Sequence, residues 1–118
     1  MREEIYDLEK MGQLAVLKLK LENITMLQNE DLKKAFAGLL DGGTRNIILD
    51  LEGITFVSSI VLASLVYMLK RAKEVGGNLV LDGLTDNVKT VLETTNLDKV
   101  FDIFQNRQDA IGKFAHLF

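Results

Sequence analysis

The chain is predicted to fold as an α/β domain whose mixed β-sheet begins with an antiparallel hairpin and continues as strand–helix repeats. Short apolar runs flank a glycine-containing turn near the N-terminus, and later apolar runs alternate with segments of helical spacing. The later runs lack polar–apolar alternation, which is typical of parallel strands covered on both faces. The element order β-β-α-β-α-β-α-β-α therefore predicts about four helices joined by right-handed crossovers.

The first half of the chain contains the hairpin, a helix and the strand predicted to be central. Leucine alternates with lysine at residues 17–21, so the second strand should bury one face. Asn29 is expected to open the first helix and Gly42 to stop it. Uninterrupted apolar residues at 47–49 indicate a strand buried on both sides. The predicted elements are strands at 5–8 and 14–21 around a turn at 10–13, a helix from 29 to the glycines at 42–43, and a strand at 46–51.

The second half repeats the alternation of helix and strand. Basic side chains at 70–73 complement the dipole at the end of the second helix, and the glycines at 76–77 end it. Thr85 or Asp86 should cap the third helix. The predicted elements are a helix at 59–75, a strand at 79–81, a helix at 86–94, an edge strand at 100–104 and a closing helix at 109–117.

Composition restricts the class of function. With 118 residues, 47% hydrophobic and 26% charged, the chain fits one domain spanning residues 1–118. A net charge of −3 gives no footprint for a nucleic-acid backbone, so direct DNA or RNA binding is not expected. The absence of cysteine excludes disulfides and thiolate metal sites, one histidine cannot make a histidine-rich site, and no cofactor is expected.

Neither export nor membrane insertion is expected, and the expected location is the cytoplasm. Residues 1–10 mix charges and lack the apolar core of a signal peptide. The uncharged run of 17 residues at 53–69 is better divided into a strand end, a turn and a helix face than treated as a membrane span.

Catalytic signatures are missing from the turn at residues 56–61. This turn has neither the glycines nor the lysine of a phosphate-binding loop. A hydrolase using Ser58 or Ser59 would need a general base, and the lone His116 is expected in the closing helix. The carboxylates of Asp50 and Glu52 are interpreted as a solvated pair. The sequence therefore does not predict an enzyme.

Ser58 and Ser59 are the preferred functional candidates because they join a buried strand to a helix. One of them should cap the helix by accepting a hydrogen bond from a first-turn amide. Their place beyond the carboxyl end of a central strand is where open α/β sheets present ligand surfaces. Phosphorylation there would add about −1.5 to −2 charge, which could abolish a docked interface while the helix N-terminus tolerates the anion.

Three segments carry a family resemblance. The run at 47–59 joins an Ile-Ile-Leu-Asp-Leu strand to the serine turn, the following helix ends in glycines at 76–77, and another strand follows at 78–81. Together they resemble the STAS domain of bacterial anti-sigma factor antagonists. Residues 88–92 and 96–101 are similar to the third helix of that family and its exit, so the resemblance covers nearly the whole chain. It implies a STAS-like mixed sheet.

The resemblance also implies site residues. Aligned through Phe56, the family's aspartate corresponds to Ser58, its phosphorylated serine to Ser59, and the next two motif positions to Ile60 and Val61. Ser59 is then the expected phosphorylation site, with Ser58 as backup. A partner-contacting loop of the family corresponds to residues 22–24, where only Glu22 is kept. The implied partner-binding residues are Glu22, Asn23, Val57, Ser58, Ser59, Ile60 and Val61.

By this resemblance, the unphosphorylated protein binds an anti-sigma factor, typically a serine kinase of the histidine-kinase-like ATPase fold, and frees a sigma factor. The kinase then phosphorylates Ser59 and releases the complex. An alternative is a STAS sensor of a small apolar or nucleotide ligand, suggested by an apolar rim at Val57, Ile60 and Val61 and by the missing aspartate of the family motif. A homodimer is also open, through the aromatic set Phe101, Phe104, Phe114 and Phe118.

Overall fold

A five-stranded sheet organises the protein, which we describe from a computed structural model over residues 5–117. The strand order is β1-β2-β3-β4-β5, with β1 antiparallel to β2 and the other neighbours parallel. This arrangement confirms the predicted mixed sheet, its hairpin start and β3 as the central strand. The strands are β1 (Tyr6–Met11), β2 (Leu14–Leu19), β3 (Asn46–Asp50), β4 (Asn78–Asp82) and β5 (Ile103–Phe104).

Four α-helices and two short 3₁₀ turns complete the described chain. The helices are α1 (Met26–Asp41), α2 (Ser59–Glu74), α3 (Asp86–Thr94) and α4 (Arg107–Gly112), and the 3₁₀ turns are Leu97–Lys99 and Ala115–Leu117. Within residues 5–117, no helix is both long and apolar enough to cross a lipid bilayer.

The hairpin differs from its prediction at both ends. The strand β1 continues to Met11, which leaves only Gly12 and Gln13 in the turn, and Gly12 adopts the positive φ of 64° that such a tight turn needs. The strand β2 ends at Leu19 and not at residue 21. Leu21 and Glu22 instead lead the chain away from the sheet toward α1.

Helix α1 begins three residues before the predicted start at Asn29. Thr25 caps it: its Oγ1 accepts a hydrogen bond from the Gln28 amide at 3.3 Å, and the Gln28 side chain accepts one from the Thr25 amide at 3.0 Å. This reciprocal pair is a capping box, which the Thr25-x-x-Gln28 spacing already encodes. Asn29 lies inside the helix and is buried.

The closing segment is more broken than predicted. The edge strand shrinks to Ile103–Phe104, and the helix predicted at 109–117 becomes α4 (Arg107–Gly112) followed by a 3₁₀ turn. Asn106 caps α4 by accepting a hydrogen bond from the Asp109 amide at 2.9 Å. Gly112 ends the helix, as expected from the poor helix propensity of glycine.

The sheet is buried on both faces, and its two cores differ in size. The larger core lies under α1, α2 and α3 and takes the odd-numbered residues of β2, β3 and β4. The smaller core lies under α4 and takes Leu14, Val16, Ile48 and Val80 together with Phe114. The non-alternating strand sequences are explained by this double coverage.

Candidate partner-binding site

Ser58 and Ser59 each take one of the two roles that the sequence left open, those of helix cap and exposed surface residue. Ser58 is the N-cap of α2, and its Oγ accepts a hydrogen bond from the Val61 amide at 3.3 Å. Ser59 is the first residue of the helix and is exposed to solvent. The structure thus uses Ser58 to satisfy the helix end and presents Ser59 at the surface.

The loop carrying Glu22 and Asn23 lies directly against the turn. Asn23 forms an isolated parallel bridge with Phe56. The Thr55 amide donates a hydrogen bond to the Glu22 carbonyl at 2.8 Å, and the Thr55 hydroxyl donates to the same oxygen at 3.3 Å. Residues 33 positions apart in sequence are therefore joined at one surface, which brings the two segments predicted to contact a partner next to each other.

Thr85 braces the opposite side of the turn. Its hydroxyl donates a hydrogen bond to the Ile54 carbonyl at 2.7 Å and accepts one from the Val88 amide at 3.4 Å. One side chain therefore caps α3 and holds the peptide that leads into the serine turn. The sequence predicted the cap at Thr85 or Asp86 but gave no sign of the contact with Ile54.

The predicted apolar rim is wrong for two of its three members. Val57 and Val61 are buried in the larger core, so their side chains cannot reach a partner. Ile60 is 51% exposed, and Phe56, which was not assigned a contact role, is 58% exposed. Val57 occupies the position before the N-cap, where an apolar side chain commonly packs back against the first turns of the helix.

Exposed apolar side chains gather where α1 and α2 begin. Asn29 Nδ2 donates a hydrogen bond to Ser64 Oγ at 2.9 Å, so the two helices run side by side with these residues in contact. Met26 precedes Asn29 by one turn and Ile60 precedes Ser64 by one turn. We call the exposed side chains at this end the turn patch; its members are Met26, Leu27, Phe56 and Ile60.

The turn patch is unusual for the surface that the structure describes. Its members are four of the eight large hydrophobic side chains exposed within residues 5–117. Single exposed apolar residues are ordinary, but a cluster of them marks a surface that binds another molecule. Glu22, Asn23 and Ser59 are exposed beside this cluster. The arrangement suits docking of a protein surface rather than chemistry on a small substrate.

The remaining predicted features lie elsewhere. His116 is in the 3₁₀ turn at the end of the chain, beside the smaller core. Phe101 and Phe114 are buried, so they do not form a dimer patch, and Phe118 lies outside the described residues. Across residues 5–117, no group of three or more histidine or acidic side chains is placed to hold a metal ion.

Comparisons with known proteins agree with the fold. A family model for the STAS domain matches residues 6–110. A relative from Bordetella bronchiseptica, "Putative anti-sigma factor antagonist BtrV", is 31% identical over 85 residues, which cover 72% of this chain and 73% of the relative.

Two solved structures show the same fold at lower identity. A Thermotoga maritima protein described as a "putative anti-sigma factor antagonist" superposes with a TM-score of 0.82 at 24% identity over 92% of each chain. The Bacillus cell fate determinant SpoIIAA in its phosphorylated form superposes with a TM-score of 0.73 at 16% identity, covering 92% of this chain and 98% of SpoIIAA.

Proposed function

Because this chain belongs to the STAS domain family, we propose that it is an anti-sigma factor antagonist that binds its partner through the turn patch and is released by phosphorylation of Ser59. Members of this family of antagonists are regulatory binding proteins and not enzymes. The proposed partner is an anti-sigma factor of the serine-kinase type, with the histidine-kinase-like ATPase fold. We also propose that residues 1–118 form a single domain.

One observation carries this proposal: exposed Ser59 stands beside the exposed Phe56 and Ile60, and the Asn23 loop is bonded to the same turn. Aromatic and aliphatic side chains supply most of the binding energy in protein interfaces when water is excluded around them. A phosphate carrying about −1.5 to −2 charge would have to lose its hydration to enter such an interface. Phosphorylation would therefore oppose binding strongly.

The folded domain has reasons to tolerate the same phosphate. Helix α2 has no acidic residue in its first turn, and the positive end of its dipole favours an anion at this end. The helix cap would be unaffected, because Ser58 and not Ser59 accepts the hydrogen bond from Val61. The relative SpoIIAA has been solved in a phosphorylated form, which supports such a modification on this fold.

The test measures binding of the anti-sigma factor that copurifies with this protein from its native host. We expect Ser59→Asp to lose more than about tenfold in affinity, because an added charge must be desolvated. Ser59→Ala should keep its binding and should not accept phosphate from the kinase. Gln108→Glu, which adds a charge on exposed α4, is the matched control and should bind like wild type.

Mapping of phosphoserine in protein from the native host completes the test. Phosphate at Ser59 is the expected result. If Ser59→Asp binds the partner as tightly as wild type, the proposed switch is wrong even if the partner itself is confirmed.

The alternative sensor function has lost one of the two observations that suggested it. Its apolar rim was to be formed by Val57, Ile60 and Val61, and two of these side chains are buried in the core. The exposed remainder lies at two helix ends, and exposed apolar side chains there fit a protein partner better than a small ligand, which needs a pocket.

A further inference from the structure

A polar cleft of about 300 Å³ lies at the carboxyl ends of β2, β3 and β4, on the side of the sheet that α4 covers. Lys18, Asp50 and Asp82 stand in register across these three strands. Glu52 and Arg107 also line the cleft. Open α/β sheets bind ligands outside the carboxyl ends of their strands, so this location is a favourable one.

Asp82 is a buried carboxylate whose bonding is incomplete. Its side chain lines the cleft, the residue is only 1% exposed, and its Oδ1 has no hydrogen-bond partner within residues 5–117. Buried polar atoms in native proteins are nearly always satisfied, so an exception calls for a functional explanation. Burial, followed by the nearby charge of Asp50, raises the pKa of Asp82 to about 6.

Arg107, one of the two cations of the cleft, is already engaged by other carboxylates. Arg107 Nη1 contacts Glu9 Oε2 at 3.0 Å, and its Nη2 lies 3.7 Å from Asp50 Oδ2. Asp50 Oδ1 accepts a hydrogen bond from the Glu52 amide at 2.9 Å. Asp50 was interpreted from sequence as part of a solvated pair, but it is buried. Asp50 therefore has partners, whereas Oδ1 of Asp82 has no hydrogen-bond partner among residues 5–117.

Charge counting shows what the cleft lacks. Three carboxylates, Asp50, Glu52 and Asp82, line the cleft with two cations, Lys18 and Arg107, and a fourth carboxylate, Glu9, pairs with Arg107 from outside the cleft. The group therefore carries an excess of two negative charges when every member is ionised. A bound cation would reduce this excess and would give Asp82 the partner that it lacks.

We propose that the cleft binds the primary ammonium group of a small organic amine, with Asp82 and Asp50 accepting its hydrogen bonds. An ammonium has three donors on a compact charge, which suits several converging carboxylate oxygens. A protein cage for Ca²⁺ takes six to eight oxygen ligands, and residues 5–117 hold no group of three or more acidic or histidine side chains placed to hold a metal ion. The volume is at the lower limit for small-molecule sites, so the amine is short.

Gly83 helps to keep the site in shape. It has a φ of +67°, and a Cβ atom at this position would lie 2.9 Å from Asp50 Oδ1. Glycine therefore allows the chain to turn immediately after Asp82 while Asp50 keeps its position beside the cleft.

Proton linkage gives the proposal a distinctive signature. Asp82 must be ionised to pair with an ammonium, so amine binding should weaken as the pH falls through about 6. The groups that set this value are Asp50 and Glu52, which oppose ionisation, and Arg107 and Lys18, which favour it. Exposed carboxylates of ordinary pKa would leave binding unchanged until a lower pH.

The experiment titrates the full chain with butane-1,4-diamine, n-butylamine and Nα-acetyl-lysine amide, followed by the backbone amide NMR shifts of Gly83 and Glu52. Sodium chloride at the same ionic strength is the salt control. We expect saturable shifts that weaken at least tenfold in Asp82→Asn and also weaken in Glu52→Gln. Asp98→Asn, an exposed aspartate outside the cleft, should bind like wild type.

The outcomes separate the sources of the ammonium group. Binding of the diamine or of butylamine assigns the site to a free amine, whereas binding of the lysine amide alone assigns it to a lysine side chain of another protein. The proposal fails if no amine gives a saturable shift, if sodium chloride reproduces the shifts, or if folded Asp82→Asn and Glu52→Gln both bind like wild type. The binding of the anti-sigma factor by Ser59 variants is a separate measurement, and its result does not change these outcomes.

Discussion

The turn patch and the polar cleft both lie beyond strand ends, and each holds side chains in an environment that folding alone does not favour. The two environments are opposite in kind. At the turn patch the polar cap is satisfied by Ser58, while the large apolar side chains of Phe56 and Ile60 are left in water. In the cleft it is a charged group, Asp82, that is buried, and its Oδ1 finds no hydrogen-bond partner in the part of the chain that the structure describes. An exposed apolar cluster indicates a macromolecular partner, whereas a buried unpaired charge indicates a small complementary ion.

The largest effect should follow from truncating the centre of the turn patch. Phe56→Ala should weaken binding of the anti-sigma factor by about 3 kcal/mol, roughly a hundredfold, because buried aromatic anchors dominate interfaces. Isothermal titration calorimetry with the purified partner measures the change. Tyr67→Ala removes a similarly exposed aromatic from the middle of α2 and should change the affinity little. Equal losses in the two variants would mean that the interface is not centred on the turn.

A smaller effect is expected in the cleft, where a substitution should raise the stability of the fold. The folded-state pKa of Asp82 is raised to about 6 from its ordinary value of 3.8, so the folded protein binds this proton more tightly than the unfolded chain does. Ionised Asp82 therefore costs stability above about pH 6, and the cost disappears as the pH falls toward 4. Asp82→Asn should raise the free energy of unfolding by about 2 kcal/mol at neutral pH and by little near pH 4.

Urea unfolding at both pH values measures this difference, with Asp98→Asn as the exposed control. A variant that is destabilised at neutral pH would show that the charge of Asp82 is compensated in the folded protein. The contrast between an unpaired charge in the cleft and a satisfied cap at the turn would then be lost.

The smallest of the three effects concerns the bond that aligns the helices under the turn patch. Ser64→Ala removes the acceptor for Asn29 Nδ2 and should cost about 1.5 kcal/mol of stability, because the buried amide keeps its desolvation penalty. A double-mutant cycle compares the free energies of unfolding, measured by chemical denaturation, of wild type, Ser64→Ala, Asn29→Ala and the double variant. Additive losses would show that the two side chains do not couple, and that other contacts align Met26 with Ile60.

Patterns that depend on neighbouring residues were the ones that could be predicted from sequence. The element order and the double coverage of β3 followed from runs such as Ile47 to Leu49, and the hairpin turn followed from the segment that contains Gly12. The start of α1 was misplaced because Asn29 is a common cap residue, although the Thr25 and Gln28 pair carried the stronger signal. Burial of Val57 and Val61 was missed because it depends on the direction in which the turn enters α2.

The cleft was also missed, although a signal was present. The strands β3 and β4 both begin with asparagine and end in Leu-Asp, which places Asp50 and Asp82 at equivalent positions. Pairing these ends requires knowing that the two strands are adjacent, parallel and in register. The role of Arg107 could not be predicted, because its contact with Glu9 joins residues 98 positions apart.

The hydrogen bond from Thr85 to the Ile54 carbonyl determines which segments of the chain are needed to reproduce the turn patch on another scaffold. A peptide of residues 46–75 carries the serines, Phe56 and all of α2, but it lacks the brace at Thr85 and the Glu22 carbonyl that holds Thr55. Such a fragment would present the right side chains on a backbone free to change its path. A graft of this binding surface onto another scaffold therefore has to reproduce three separated stretches of chain, near residues 22–27, 54–60 and 85.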